Sequence, residues 1–174
     1  PYSSLSPHLV HALVATEDIR FYDHSGIDFF ALGRAFIKRG LLGKASAGGG
    51  STITQQLAKQ LYSEKAHSTL ERLLQKPIEW VIAVKLERHY TKEEIIAMYL
   101  NYFDFLHNAV GIKRAANIYF SKEPRQLSVT EAATLVGLCQ NPSLYNPLRH
   151  EERCRIRRNI VLGQMCKSGY ITRE

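Results

Sequence analysis

The sequence predicts an all-α fold, and three observations favour it. At four places serine or threonine stands three residues before glutamate or glutamine, the capping box that opens a helix. Apolar residues at helical spacing follow each of these starts. No segment sustains the alternation of apolar and polar residues that is typical of a half-buried strand. The boxes begin at Thr52, Ser68, Thr91 and Ser128.

The first predicted helix begins after Ser6, which is followed by proline at the first helical position. It runs to about Asp18 and places Leu9 and Leu13 inward. Glu17 and Asp18 then lie at its C-terminal end, where the helix dipole disfavours carboxylates. Because stability alone would not select that placement, the pair is a candidate for function.

The segment 28–42 combines apolar with basic residues. Such a basic amphipathic stretch is typical of a membrane-surface helix, and its many phenylalanines favour that interpretation over an ordinary helix packed on the core. A loop of small residues, 43–50, follows it. The apolar side chains are Phe29, Phe30, Leu32, Phe36, Ile37, Leu41 and Leu42, and the basic ones in and just after the segment are Arg34, Lys38, Arg39 and Lys44.

Three further predicted helices open at Ser68, Thr91 and Ser128, and a last one spans about His150 to Lys167. Pro77 lies inside the first of these. Because proline removes a backbone donor and its ring clashes with the preceding turn, the helix should kink or restart there.

With 174 residues the chain has the length of one ordinary domain, and we expect a single domain over residues 1–174. Lys and Arg number 23 against 16 Asp and Glu, a net charge of +7. That balance favours an anionic partner: a nucleic acid, a membrane surface or a phosphorylated substrate. The alternative is a solvated basic surface. The basic residues form no helix-turn-helix recognition pattern, so we expect no nucleic-acid partner.

The chain has three cysteines, none of them in a C-x-x-C pair. An odd count without that spacing argues against a disulfide framework and against a zinc site. No run of about 18 uninterrupted apolar residues indicates a transmembrane helix. The chain also begins abruptly at Pro1 without a signal peptide, so we expect a domain excised from a longer protein.

Glu17 and Asp18 are candidates for a general base. Such a base needs a carboxylate whose proton affinity is raised by desolvation or by a neighbouring like charge. An adjacent acid and the apolar neighbours Phe21 and Tyr22 could supply both effects. A solvent-exposed acidic turn is the alternative, although the nearby His24 makes the stretch more specific than a bare acidic pair.

The run Gly48-Gly49-Gly50-Ser51-Thr52 resembles an anion-binding helix N-terminus. Backbone N–H groups and the positive end of the helix dipole favour phosphate there. The Gly-Lys-Ser/Thr order of a Walker loop is absent. Gln56 and Lys59 follow, three residues apart, and share one face of the helix. A flexible loop before a capped helix is the alternative.

Arg72, Lys76 and Glu79 share one face of the next predicted helix. Two cations beside a carboxylate suit a pyrophosphate leaving group and an acid that helps it to depart. A surface ladder of intrahelical salt bridges is the alternative.

Taken in order, these stretches resemble the signatures of the peptidoglycan glycosyltransferases, glycosyltransferase family 51. The ordered motifs cover almost the whole chain. They are Glu17-Asp18-x-x-Phe21-Tyr22-x-His24-x-Gly26; Gly49-Gly50-Ser51-Thr52-Ile53-Thr54-Gln55-Gln56-Leu57-x-Lys59; Lys76-x-x-Glu79; Lys92-x-Glu94-Ile95-x-x-x-Tyr99-Leu100-Asn101; and Ala115-Ala116-x-x-Tyr119-Phe120-x-Lys122 with Glu131-Ala132-Ala133-x-Leu135.

The resemblance implies a lysozyme-like, two-lobe helical fold in which the small lobe, here the segment 28–42, contacts the membrane. It implies polymerisation of lipid II into glycan strands, with inversion and release of undecaprenyl pyrophosphate. Glu17 matches the general base on the acceptor 4-hydroxyl, and Glu79 matches the acid that assists the leaving group. Because an inverting transfer needs its base opposite the leaving group, the two glutamates should lie well apart. The residues taken as substrate-binding are Asp18, Phe21, His24, Ser51, Thr52, Gln56, Lys59, Arg72 and Lys76.

The resemblance further implies Mg²⁺ or Mn²⁺ at the pyrophosphate and no organic cofactor. The implied partners are lipid II, the growing lipid-linked strand, the bacterial membrane surface and moenomycin-type inhibitors. The implied location is the outer, periplasmic face of the bacterial cytoplasmic (inner) membrane, with the anchor absent from this chain. The ending 169–172 resembles the junction before the transpeptidase domain of class A penicillin-binding proteins, although the Ser-x-x-Lys and Lys-Thr-Gly motifs of that domain do not occur in this chain.

Three departures stand out from the family pattern. Gln75 replaces the usual arginine before Lys76, and Arg72 could compensate for the lost cation. Pro77 is unusual, and the segment 103–108 replaces an expected glycine-rich stretch. Two alternative functions remain at this point: a lysozyme-like peptidoglycan hydrolase, and a non-catalytic basic membrane-binding module.

Overall fold

The computed structural model describes residues 1–40, 50–62 and 68–172, without the side chains at 38–40, 69 and 72. These residues form eight α-helices and three short 3-10 helices, and no strand occurs among them. The predicted all-α fold class is therefore confirmed. The α-helices are α1 (Pro7–Glu17), α2 (Phe29–Gly40), α3 (Ile53–Tyr62), α4 (Thr69–His89), α5 (Lys92–Tyr102), α6 (Ile112–Phe120), α7 (Val129–Leu138) and α8 (Glu151–Lys167).

All four predicted capping boxes lie at helix starts. At α3 the Thr52 N–H donates to Gln55 Oε1 over 3.0 Å, and the Gln55 N–H donates to Thr52 Oγ1 over 3.1 Å. Equivalent side-chain caps open α4, α5 and α7. Each box satisfies backbone donors that a helix start would otherwise leave unpaired, which is why so local a pattern locates these starts.

Both terminal helices have the predicted limits. The Ser6 hydroxyl accepts a hydrogen bond from the His8 N–H over 3.2 Å, and α1 ends at Glu17 with Asp18 as its C-cap. Helix α4 is different, because it continues through Pro77 as one helix instead of restarting there. Proline removes only one backbone donor, and the turns on either side retain their own hydrogen bonds.

The chain divides into two compact units. The first comprises residues 1–19 and 96–174, and its core forms where α1, α7 and α8 pack on one another. The fully buried side chains at this core include Leu9, Leu13, Tyr99, Leu135 and Val161.

The second unit comprises residues 20–95, and α3 packs on α4 within it. Phe21, Ile53 and Leu57 are fully buried there. Gly26 has a φ of +99° and lies so close to α4 that an added Cβ would come within 2.9 Å of the Ala83 backbone. Glycine is required on both counts, because a side chain would be strained by the backbone angle and would collide with the helix.

Two helices of the second unit expose apolar side chains. On α2, Phe29, Phe30 and Phe36 are 71%, 75% and 77% exposed. On α4 an exposed stripe follows the helical repeat and includes Leu70, Leu73, Leu74, Ile78 and Val81. The side chains of Lys38 and Arg39 and the stretch 41–49, on which part of the membrane prediction rests, lie outside the described residues. None of the described helices combines the length and the apolar character needed to cross a bilayer.

Candidate active-site residues

Glu17 occupies the last turn of α1 in the first unit. Its carboxylate Oε1 lies 3.5 Å from the Arg157 guanidinium of α8, and the two side chains are only 15% and 11% exposed. The cation offsets the unfavourable interaction of a carboxylate with the negative end of the α1 dipole. Glu17 is therefore neither a surface acid nor an isolated buried charge.

Two further groups near Glu17 in this unit are neutral. Burial raises the pKa of Tyr99 well above its usual range, with smaller contributions from the charges of Cys139 and Glu17. Burial also raises the pKa of the Cys139 thiol, and the Glu17 carboxylate adds to that effect. Both groups therefore keep their protons at neutral pH. We refer to Glu17, Arg157, Tyr99 and Cys139 as the Glu17 cluster.

Asp18 follows directly as the C-cap residue of α1 and is 7% exposed. Its N–H donates to the Val14 carbonyl over 3.1 Å, which closes the last turn of the helix. The backbone of Asp18 therefore helps to fix the position of Glu17.

The predicted catalytic residue Glu79 meets the predicted substrate-binding residues Ser51 and Lys76 in the second unit, and we call these three the Lys76 cluster. The Lys76 Nζ lies 3.1 Å from Glu79 Oε2 and donates to Ser51 Oγ over 3.4 Å. Glu79 is 1% exposed, whereas a third of the Lys76 side chain remains exposed. The cluster thus places an accessible cation directly beside a buried carboxylate.

Thr52 is a structural link at the start of α3. Its hydroxyl donates to the Gly26 carbonyl over 2.7 Å and accepts the Gln55 N–H, and its side chain is buried. These bonds join the segment of the first motif to the second motif. The substrate-binding role predicted for Thr52 stays a prediction.

The remaining predicted residues of α3 and α4 are placed less completely. Gln56 is half-buried and Lys59 is exposed, three residues apart on α3. The side chain of Arg72 lies outside the described residues, as do Gly48 and Gly49. Whether Arg72 replaces the cation missing at Gln75 stays a prediction.

Phe21 and His24 belong to a group that we call the Lys92 network, together with Thr54, Glu87 and Lys92. The Lys92 Nζ donates to the His24 carbonyl over 2.7 Å and to Glu87 Oε1 over 2.8 Å. It also lies 4.3 Å from the centroid of the buried Phe21 ring. The Thr54 hydroxyl donates to Glu87 Oε1 over 2.6 Å. One ammonium therefore holds residues of the first, second and fourth motifs within this unit.

Sequence patterns did not assign roles to several of these residues. Lys92 stands in the fourth motif, so a signal for it existed. Glu87 and Arg157 stand in no recognised motif, and their contacts become visible only in the folded chain.

No group of three or more His, Cys, Asp or Glu side chains that could hold a metal ion occurs among the residues that the structure describes. The donor set found there does not fit a metal cage built by the protein alone.

Comparisons with known proteins identify the family of this chain. The model of the transglycosylase family matches residues 1–166. The chain is 43% identical over 161 residues to penicillin-binding protein 1F of Bacillus subtilis, an alignment covering 92% of this chain and 22% of that protein. It is 45% identical over 167 residues to penicillin-binding protein 1A of Aquifex aeolicus, covering 96% and 22%. For penicillin-binding protein 1A of Escherichia coli the values are 41% over 171 residues, covering 98% and 19%.

The chain thus spans about a fifth of the length of these relatives. The family match covers nearly all of the chain itself. The chain therefore belongs to the transglycosylase family, and the peptidoglycan glycosyltransferase predicted from its motifs is confirmed as its class of enzyme.

Proposed function

We propose that this chain polymerises lipid II into glycan strands, with Glu17 as the general base and Glu79 as the group that assists departure of undecaprenyl pyrophosphate. The Lys76 cluster is the observation that carries the proposal. A buried carboxylate 3.1 Å from a partly exposed ammonium is suited to a leaving group that gains negative charge.

The leaving-group role follows from the charge distribution in the Lys76 cluster. As the bond between the anomeric carbon and the pyrophosphate oxygen breaks, negative charge grows on that oxygen. The Lys76 ammonium, oriented by Ser51 and Glu79, stabilises this charge without having to reorganise. Glu79 holds the ammonium in place and thereby assists the departing oxygen through Lys76.

The base role follows from the position of Glu17. Its side chain is held by Arg157 yet keeps 15% of its surface exposed. A carboxylate that is fixed and still accessible can approach a sugar hydroxyl within hydrogen-bond distance.

The proposed reaction conserves atoms and charge. The acceptor 4-hydroxyl oxygen attacks the donor anomeric carbon and forms the new glycosidic bond, while its proton passes to the Glu17 carboxylate. The bond from the anomeric carbon to the pyrophosphate oxygen breaks, and its electron pair leaves with undecaprenyl pyrophosphate. Attack opposite the leaving group inverts the configuration at that carbon. The expected separation of the two glutamates stays a prediction.

The other predicted substrate-site residues remain part of this proposal. Lys59 and Lys76 would contact phosphate oxygens, since ammonium groups bind them as compact point charges. Asp18, Ser51 and Gln56 would hydrogen-bond to the sugars or their acetamido groups. Phe21 and His24 would shape the wall of the substrate site, while Thr52 and Arg72 would border the pyrophosphate.

We also propose that the reaction requires Mg²⁺ or Mn²⁺, and that the protein alone does not supply all of the ligands of this cation. Mg²⁺ in phosphate-transfer sites takes many of its ligands from substrate phosphates and water. Because the described residues show no metal cage, the pyrophosphate itself would supply most of the ligands. No step above depends on the cation.

The cellular setting completes the proposal. We propose residues 1–174 as one glycosyltransferase domain of a longer protein, anchored in the bacterial cytoplasmic membrane and working at its outer face. The exposed phenylalanines of α2 and the apolar stripe of α4 support contact with the bilayer in which lipid II resides. Since the chain covers only 22% of the penicillin-binding proteins that it resembles, a transpeptidase domain would follow in the longer protein.

A polymerisation assay tests the catalytic roles. The chain is incubated with lipid II, with and without EDTA, and polymer and released undecaprenyl pyrophosphate are measured. We expect Glu17→Gln and Glu79→Gln each to lower turnover by about 100-fold or more, because an acid or base typically contributes that much. The control is Glu93→Gln, which removes an exposed carboxylate from the first turn of α5.

The outcomes separate the alternatives. Near-normal turnover by Glu17→Gln would refute its role as base. Shortened strands from preformed peptidoglycan, without polymer, would indicate a hydrolase. Binding of a moenomycin-type inhibitor that is unaffected by Lys76→Gln would refute the pyrophosphate assignment of that lysine.

A further inference from the structure

Arg157 on α8 is a largely enclosed cation, with 11% of its side chain exposed, and none of the sequence motifs includes it. Its guanidinium lies 3.5 Å from Glu17 Oε1 and 5.9 Å from the centroid of the Tyr145 ring. Two other arginines of this helix, Arg155 and Arg158, interact with residues of α8 itself. Of these three arginines, Arg157 is the one that forms an ion pair with a residue of another helix, Glu17 of α1.

The stem of Arg157 is confined as closely as its head group. Its side chain crosses α7 at Gly137, where an added Cβ would lie 3.2 Å from Arg157 Cγ. Such a separation is tighter than ordinary van der Waals contact, so a residue larger than glycine would displace the arginine. The packing of α7 against α8 thus sets the position of the guanidinium.

Arg157 occupies this place at a cost. Among the described residues, no group accepts a hydrogen bond from its buried Nε. A buried donor without an acceptor lowers stability, and such groups are uncommon in native proteins. An arrangement selected for stability alone would pair this nitrogen or expose it to water.

We propose that Arg157 is a positioning residue for the Glu17 carboxylate. The guanidinium engages Oε1 and restricts rotation of the carboxylate, which fixes the orientation in which Glu17 receives the proton of the acceptor hydroxyl. Arg157 itself touches no substrate. This inference rests on the proposed role of Glu17 as general base.

The alternative is a purely structural role, in which Arg157 only offsets the unfavourable interaction of Glu17 with the negative end of the α1 dipole. The two roles differ in their kinetic consequences. A purely stabilising arginine affects melting temperature but leaves turnover by the folded enzyme unchanged. A positioning arginine affects kcat while KM for lipid II stays nearly constant, since it acts on the transition state and not on substrate binding.

The test uses Arg157→Gln, Arg157→Lys and the control Arg155→Gln in the lipid II assay. Arg155 is an exposed arginine on the same helix, paired with Glu152. We expect Arg157→Gln to lower kcat at least tenfold with KM within twofold, Arg157→Lys to recover part of that loss, and Arg155→Gln to match wild type. Circular dichroism at the assay temperature selects conditions in which every variant is folded.

A double variant separates failure of this inference from failure of the proposed function. If Arg157 acts through Glu17, adding Arg157→Gln to Glu17→Gln causes little further loss, because the two substitutions remove one function. The positioning role would be overturned if the activity losses of the two single variants multiply in the double variant. It would also be overturned if Arg157→Gln has a normal kcat and only a lower melting temperature. A fully active Glu17→Gln enzyme would instead refute the base assignment on which it rests.

Discussion

Gly26 connects two parts of the second unit, because the lack of a side chain lets its backbone approach α4 closely. Its positive φ and its approach to the Ala83 backbone leave no room for a Cβ. Its carbonyl accepts the Thr52 hydroxyl, and its N–H donates to His24 Nδ1 over 3.2 Å. The backbone at this residue therefore determines where the first motif meets both α3 and α4.

We expect Gly26→Ala to lower the free energy of unfolding by about 2–4 kcal/mol, because the strained φ and the collision with backbone atoms add together. The control is Gly33→Ala in α2, where an added Cβ meets nothing within 4 Å. Alanine in an open helical position should be neutral or stabilising by about 0.5–1 kcal/mol. Urea unfolding of both variants measures the difference, and equal midpoints would contradict this account.

At the scale of the helix, α7 opens with a capping box that is also tied to a lysine. Glu131 accepts the Ser128 N–H over 2.9 Å and the Lys122 ammonium over 2.8 Å. Burial by itself would raise the pKa of Glu131, but the hydrogen bonds from Lys122 and Ser128 and the lysine charge hold that pKa below its usual range. The ionised carboxylate therefore stabilises the folded state.

The sign of the pH dependence follows from that lowered pKa. Because the folded-state pKa is below the unfolded value near 4.5, the stabilisation is present above that value and is lost as pH falls through the folded-state pKa. We expect Glu131→Gln to be less stable than wild type by about 0.5–1 kcal/mol at pH 7, with the gap closing under acid. Thermal melts across pH 3–7 measure it.

The matched control removes a carboxylate from an exposed pair. Glu152 lies 2.9 Å from Arg155 with both side chains more than 60% exposed, so Glu152→Gln should change stability by less than about 0.5 kcal/mol. A Glu131→Gln gap that is constant down to pH 3 would show that the cap works through hydrogen bonding alone.

Helix starts and limits were predictable because their determinants lie within one turn. The boxes at Thr52 and Ser128 need only residues three apart, and the Lys76–Glu79 pair has that same spacing. The ion pair of Glu17 with Arg157 was not predictable, since it depends on how α1 and α8 pack. Helical spacing also could not predict that the apolar stripe of α4 is exposed. Periodicity shows which residues share a face of the helix, but it does not show whether another element packs on that face.

The whole molecule combines a net charge of +7 with exposed apolar side chains on α2 and α4. At an anionic bilayer, charge would act over a distance set by salt, whereas the apolar side chains would enter the interface only once contact is made. The two contributions can therefore be separated experimentally.

We expect Phe30→Ser combined with Phe36→Ser to weaken partitioning into vesicles of phosphatidylglycerol and phosphatidylcholine by about tenfold or more, because two large apolar side chains no longer enter the interface. The control combines Leu148→Ser with Ile156→Ser, which are 67% and 53% exposed in the first unit. Co-sedimentation at low and high salt measures both. Equal loss in the two double variants would remove α2 as the contact surface.

The Lys92 network constrains the evolution of this chain. One ammonium is shared by a backbone carbonyl, a carboxylate and an aromatic ring, and that carboxylate also receives a threonine hydroxyl. A change at Glu87 alone would remove the carboxylate that pairs with the Lys92 ammonium and accepts the Thr54 hydroxyl, and a change at Lys92 alone would leave the Glu87 carboxylate without its cation. We therefore expect a viable lineage to replace Glu87 and Lys92 together or to leave both untouched.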